Sequence, residues 1–444
     1  MDFISIIGVI LGVFTIVYLS LKGISITIAA PLATLMVIMF NGMDLVSVFL
    51  GSELNHYMGA LGNYIINFFP VFLLGSILGK LMEDSGATLA IADFILKKFG
   101  SNQPYRVMVV IFVISFILTY GGISVFVVMF TIIPLAHSLF KKINISWNLI
   151  QIPLWLGIGC LTVTLVPGTP SIHNVIPIQF LNTSLTAAGI PSLLGSLGCA
   201  AFGLSYMKYT LNKSLKKGET YSTSNPHLEE KTRKEQLPSF ATSMLPLVTL
   251  MMTVVIGSTF GSVFIQANII YIALSAAIIL ALIFHTKYIP NKKMTLTSGA
   301  NGSIAAIFAT ASAVAFGSVI IVAPGFTTFL ELILTLPGHP LFSLTVLTSV
   351  ISGVTGSSSG TLGIVMPNFT SYYLEAGIHP EMIHRVAAIG SNMTTMVPQS
   401  GVLITFLSLA KLNYKNGYKE SFIVVTIGCL IAVIIVILTG FIFY

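Results

Sequence analysis

Charge is scarce in this sequence. Only 8% of its 444 residues are Asp, Glu, Lys or Arg, against about 25% in ordinary soluble domains. That shortage excludes a water-soluble enzyme, a nucleic-acid binder and a disordered scaffold. Cysteine is scarce too: Cys160, Cys199 and Cys429 each stand alone in apolar stretches. With no CxxC pair and no histidine beside them, neither a disulfide framework nor a metal site is expected, and small packing residues are the reading. HExxH and GxxxxGK[ST] are absent, which removes support for a membrane metalloprotease and for a pump carrying its own P-loop. No clustered Asp, His or Cys constellation suggests an enzyme, and no cofactor is implied. Finally, no Asp or Glu falls in the middle of any apolar run, so a carboxylate proton relay of the pump type has no evident residue. Glu83, Asp84 and Asp93 lie in an amphipathic stretch and are expected on a solvated face.

What is abundant is apolar sequence. Hydrophobic residues make up 55% of the chain, and mean hydropathy is +0.95. They come in runs at 4–21, 24–41, 63–80, 104–120, 124–140, 145–166, 184–207, 240–262, 264–286, 300–323, 340–353, 361–376, 384–410 and 421–443. Many have the length that crosses a bilayer core of ~30 Å as a helix. The fold expected is an all-α polytopic membrane protein, multi-pass in the cell (inner or plasma) membrane. No basic region precedes the first run, which opens Met1-Asp2-Phe3, so a cleaved signal peptide is not expected. One long polar segment, 208–239, carries Lys213, Lys216, Lys217, Lys231, Arg233 and Lys234 among others. It divides an N-terminal transmembrane half, 1–207, from a C-terminal one, 240–444, and reads as a cytoplasmic linker. Threading the helices outward from it puts every other Lys and Arg except Arg385 on the cytoplasmic side, as the positive-inside rule demands. Both termini come out external. Arg385, near the outer surface, reads as a helix-end anchor before an anion attractor.

The halves resemble each other at particular places. Thr164-Leu-Val-Pro-Gly-Thr-Pro-Ser-Ile172 aligns with Thr395-Met-Val-Pro-Gln-Ser-Gly-Val-Leu403, and Gly122-Ile123-Ser124 with Gly353-Val354-Thr355. Leu74-Gly75-Ser76 meets Phe316-Gly317-Ser318 with a small shift. The threading gives matched helices opposite directions, so two inverted-topology repeats are expected, each with a re-entrant hairpin and a broken helix, a pattern typical of secondary transporters.

The hairpins break at Tyr120-Gly121-Gly122-Ile123-Ser124 and at Ser352–Gly360. Irregular backbone at membrane depth persists only where protein or a wet cavity satisfies it, and hydroxyls both donate and accept there. For the first hairpin, two spanning helices joined by an external polar turn remain an alternative. The broken helices are interrupted at Val166–Ser171 and Val397–Gly401. Proline frees a carbonyl, and the half-helix that restarts offers free N–H groups to a carboxylate. The candidate substrate-binding residues are therefore Gly121, Gly122, Ser124, Pro167, Gly168, Thr169, Ser171, Gly353, Thr355, Ser357, Ser358, Thr395, Pro398, Gln399 and Ser400. His173 is the best-placed titratable group and the candidate for proton coupling, with a structural role as the alternative. His137, beside Lys141 and Lys142, reads as interfacial.

Phe72–Gly86, Thr119–Val128, the Pro167-Gly168 region and the Ser/Gly-rich segment 352–363 resemble the gluconate permease (GntP) family, within the wider ion-transporter superfamily of carboxylate carriers. The resemblance runs over nearly the whole chain. Tyr120-Gly-Gly-Ile-Ser124 is similar to the hydroxybutyrate-type branch. The stretch Thr164–Pro170 lacks the histidine that gluconate-type members tend to carry before Pro-Gly. The resemblance implies import of a small organic anion, a short hydroxymonocarboxylate such as 3-hydroxybutyrate or a sugar acid such as gluconate, by proton symport. Sodium coupling and, more remotely, an anion channel are the alternatives. It also implies a homodimer and an elevator-like movement of the hairpins.

Overall fold

The computed structural model describes residues 2–99, 103–120, 125–169, 171–221, 236–260, 262–334 and 337–444. Among these residues every regular element is a helix. Among the described residues, eight helices are long and apolar enough to cross a bilayer: Phe3–Leu21, Tyr57–Ser85, Val125–Ile143, Trp147–Leu165, Gly189–Lys216, Asn268–Tyr288, Lys292–Ile321 and Tyr414–Phe443. Large apolar side chains such as Ile66 (76%) and Phe264 (74%) stand exposed. Facing water this would be costly, whereas facing lipid it is the expected outer surface. Most helix limits fall within a few residues of the apolar runs. The polar segment from Lys208 differs: Gly189–Lys216 stays helical through its first turns, because Lys, Leu and Asn tolerate a helix as well as a linker. Residues 222–235 of that segment lie outside the described residues.

The chain folds as two compact units, one of Met1–Asn67, Gly159–Phe202 and Ala306–Tyr444, the other of Phe68–Ile158 and Gly203–Ala305. Each draws on both halves of the sequence. In the first unit, Asp2–Leu21 pairs with Ile26–Phe40 and with Pro324–Leu334. The start of Gly189–Lys216 meets Lys419–Phe443 through small residues. A Cβ on Gly195 would lie 2.8 Å from Val436, and one on Gly428 would lie 2.9 Å from the Cys199 sulfur. Such close backbone approach replaces the hydrophobic drive that lipid cannot supply. Cys160, Cys199 and Cys429 are buried free thiols. Helices Pro340–Thr355 and Pro380–Met393 open alike on His-Pro. The proline sits where its missing N–H costs nothing, and the histidine ring accepts from the N–H of Leu341 (3.2 Å) and Glu381 (3.4 Å).

In the second unit, Ala87–Phe99 packs on Val125–Ile143 and Phe240–Phe260, and Phe240–Phe260 pairs with Val263–His285. The acidic residues expected on a solvated face are ion-paired, with Glu83 and Asp93 still partly exposed and Asp84 more covered. Lys80 bridges Glu83 (3.0 Å) and Asp84 (3.2 Å) at helical spacing, Asp93 pairs with Lys142, and Asp84 also accepts from the Thr295 hydroxyl at 2.9 Å. His137 stands edge-on to Trp147 and hydrogen-bonds the Tyr221 hydroxyl.

Candidate functional site

Both helix breaks expected from sequence are present, and both lie in the first unit along with the second hairpin. The first break follows Trp147–Leu165, whose last residues, Trp155–Leu165, are wound as a π-helix, a winding concentrated at functional positions. Val166 donates its N–H to Leu161 (2.8 Å), and the chain then leaves the helix at Pro167. Gly168 takes φ +87, a conformation that favours glycine, and donates to the Leu185 carbonyl at 3.0 Å. Ser171 caps the next helix, Ile172–Leu181, through the His173 N–H, and its hydroxyl lies 2.9 Å from His173 Nδ1. Buried Thr169 accepts from Asn174 Nδ2 at 2.6 Å and donates to the Val166 carbonyl at 3.3 Å. The first break thus satisfies its own Thr169 and Ser171, while the buried Thr164 hydroxyl has no partner among the described residues.

The second break joins Pro380–Met393 to Gly401–Ala410. Thr394 donates to the Ser349 carbonyl. The Thr395 hydroxyl reaches the Ser391 carbonyl (3.0 Å) and the Ser352 hydroxyl (3.0 Å). Tyr414 donates to the carbonyl freed at Pro398 (2.7 Å). Gln399 Nε2 donates to the carbonyls of Gly353 (2.8 Å) and Val354 (3.3 Å). Two carbonyls can face only the amide nitrogen, so this fixes the amide orientation and turns Oε1 the other way. Oε1 is buried with no partner among the described residues, and so is the Ser400 hydroxyl. Ser400 occupies the N-cap of Gly401–Ala410 yet makes no side-chain cap. The first N–H groups of that helix therefore lack the usual side-chain acceptor.

The second hairpin, Pro340–Thr355 and Ser358–Glu375, brings its turn onto this break. Gly356 at the turn has φ +64, and a Cβ there would lie 3.0 Å from Ser400 Cα. Ser357 caps the return helix through the Gly360 N–H at 3.1 Å. Thr355 bonds back to Ser357, and Ser358 bonds Ser391 at 2.8 Å. The run Gly356-Ser-Ser-Ser-Gly360 has the spacing of a nucleophile elbow, but it sits on a helix–turn–helix rather than the strand–turn–helix that motif needs.

Gly353, Thr355, Ser357, Ser358, Thr395, Pro398, Gln399 and Ser400 thus form one cluster, while Pro167, Gly168, Thr169, Ser171 and His173 form another. Among the described residues no hydrogen bond joins the two clusters directly. Helix Pro380–Met393 touches both: its Ser391 meets the hairpin, and its Asn392 donates to the Gly159 carbonyl ahead of the first break at 2.6 Å. Gly121, Gly122 and Ser124 lie outside the described residues. Sequence reasoning passed over Ser352, Ser391, Asn392 and Thr394. Their signal was present, as polar residues in otherwise apolar runs. It also misplaced Arg385, which is fully buried rather than an anchor at a helix end. No group of three or more His, Cys, Asp or Glu able to hold a metal occurs among the described residues.

The family model described as GntP family permease matches residues 4–442. The uncharacterised transporter YxjC of Bacillus subtilis (strain 168) is 29% identical over 455 residues, covering 94% of this chain and 95% of that one. The crystal structure of the Alcanivorax borkumensis YdaH transporter aligns over 86% of this chain and 88% of its own, at 13% identity and a TM-score of 0.38.

Proposed function

The chain belongs to the GntP family of permeases, and on that premise we propose that it imports a short hydroxymonocarboxylate, such as 3-hydroxybutyrate, across the cell membrane by proton symport. The observation that carries this reading is the second break. An uncapped half-helix start and the Ser400 hydroxyl offer donors to a carboxylate. Gln399 Oε1 offers an acceptor, and a hydroxyl on the substrate is the donor it lacks. A carboxylate and a hydroxyl held a few ångströms apart match both demands. A plain carboxylate leaves the amide oxygen buried and unsatisfied, at a cost of about 1–3 kcal/mol.

In this reading the hairpin turn (Gly353, Thr355, Ser357, Ser358) closes over the substrate, with Thr395, Pro398, Gln399 and Ser400 as the facing wall. Pro167, Gly168, Thr169 and Ser171 contribute the opposite wall. The halves 1–207 and 240–444 are inverted repeats, the linker is cytoplasmic, both termini are external, and the protein works as a homodimer. His173 carries the coupling proton. A second reading, sodium coupling, is favoured by the same free oxygens, since Gln399 Oε1 and Ser400 Oγ suit a hard cation as well as a hydroxyl.

The test is uptake of labelled 3-hydroxybutyrate, lactate, gluconate and citrate into proteoliposomes under an inward proton gradient, a sodium gradient, or neither. Proton-driven uptake of 3-hydroxybutyrate ahead of the others is the expected result. Sodium-driven uptake replaces the coupling ion, and the absence of uptake by folded protein removes the substrate class.

A further inference from the structure

Arg385 is the only Lys, Arg, Asp or Glu among the described residues that is buried. A guanidinium carries five N–H donors, and here all five have partners. Nε donates to the Ala187 carbonyl (3.2 Å), and Nη1 to the Thr164 carbonyl (2.7 Å) and Asn174 Oδ1 (3.0 Å). Nη2 donates to the carbonyls of Ala187 (3.0 Å) and Leu185 (3.4 Å). With no donor free, this arginine has no hydrogen bond to offer a bound anion.

Its partners instead surround the first break. Thr164 is the penultimate residue of the helix before the break. Leu185 accepts from Arg385 and also from Gly168, the glycine of the break. Asn174, whose carbonyl faces the guanidinium, turns its amide nitrogen to the Thr169 hydroxyl. Glu381, one helical turn before Arg385, completes the clamp from the other side. Its carboxylate accepts the Ala188 N–H at 3.0 Å and the Tyr444 hydroxyl. The single peptide group between Ala187 and Ala188 is therefore held by Arg385 at its oxygen and by Glu381 at its nitrogen. Ala188 sits there at φ +47, a conformation an alanine does not adopt by preference.

We propose that Arg385 is a positioning residue for substrate binding: through Asn174, Leu185 and the Thr164 carbonyl it sets the place of Gly168 and Thr169, without touching the substrate. This rests on the carboxylate site proposed above. Arg385 lies on the helix that leads into the second break, so the clamp also fixes the first break relative to Thr395, Gln399 and Ser400.

The experiment compares purified wild type with Arg385→Gln, Arg385→Lys and Asn174→Ala by hydrogen–deuterium exchange and by uptake kinetics. In Arg385→Gln, peptides spanning 164–188 are expected to exchange at least about tenfold faster, with those spanning 340–375 unchanged. The KM for 3-hydroxybutyrate rises about tenfold or more, the range lost with one to two buried hydrogen bonds, while the maximal rate stays within about threefold. Arg385→Lys recovers part of the KM. If Arg385→Gln does not fold, Asn174→Ala carries the test, because it removes the link from Arg385 through Asn174 to Thr169 and leaves the four bonds from Arg385 to backbone carbonyls, and it is expected to raise KM alone. Unchanged exchange over 164–188, or faster exchange with an unaltered KM, overturns the proposal. Should wild type transport none of the carboxylates, the substrate reading fails, and the exchange data still decide whether the clamp exists.

Discussion

Two serines at helix starts in the first unit look interchangeable in sequence and are used differently. Ser357 caps its helix by accepting from Gly360, whereas Ser400 stands at an N-cap and caps nothing. Ser357→Ala is therefore expected to cost about 1 kcal/mol of stability, seen as a lower melting temperature in detergent. Ser400→Ala is expected to leave melting unchanged and raise the KM about five- to tenfold, the loss of one hydrogen bond to a charged group. A fall in melting temperature for Ser400→Ala would return that hydroxyl to a structural role. At this scale the sequence was legible where a residue announces its own chemistry. Pro167, Pro398 and Gly168 mark breaks because proline and glycine do so anywhere. It was illegible where the role depends on distant partners: Arg385 makes its five hydrogen bonds to four acceptors within residues 164–187, about two hundred positions away, and nothing local to Arg385 distinguishes a clamp from a helix-end anchor.

Among elements, the second hairpin is the one whose docking decides the site. Helix Pro340–Thr355 has 16 residues, about 24 Å at 1.5 Å per residue, less than a bilayer core. Its turn presses on the second break at Gly356. Gly356→Ala is expected to cost about 1–2 kcal/mol from the positive φ alone and to push the turn off Ser400, abolishing most uptake. Gly363→Ala, in the following helix with open space at its Cβ position, serves as the control and keeps full uptake. Equal activity in both variants would mean the turn need not approach the break. Hydropathy located most helices because lipid-facing segments must be apolar along their length. It overlooked Pro324–Leu334, which is short and begins immediately after a neighbouring helix. It placed Glu83 and Asp93 on a solvated face, where they remain partly exposed, but their ion pairs with Lys80 and Lys142 cannot be read from an amphipathic pattern.

For the whole molecule, the all-helical, multi-pass architecture follows from composition and run length, since 55% apolar content leaves few alternatives, while the family is legible only in motifs such as Phe72–Gly86 and Thr119–Val128. The packing into two units does not follow in this way, because each unit interleaves segments of both sequence halves, and apolar surfaces facing lipid and facing protein read alike. The central claim, that the second break recognises a carboxylate and a hydroxyl together, is tested most directly by the ratio of KM values for butyrate and 3-hydroxybutyrate, in wild type and in Gln399→Leu. Wild type should prefer 3-hydroxybutyrate by about tenfold or more, the cost of leaving a buried acceptor unpaired, and Gln399→Leu should bring the ratio close to one. A ratio that survives the substitution would contradict the account.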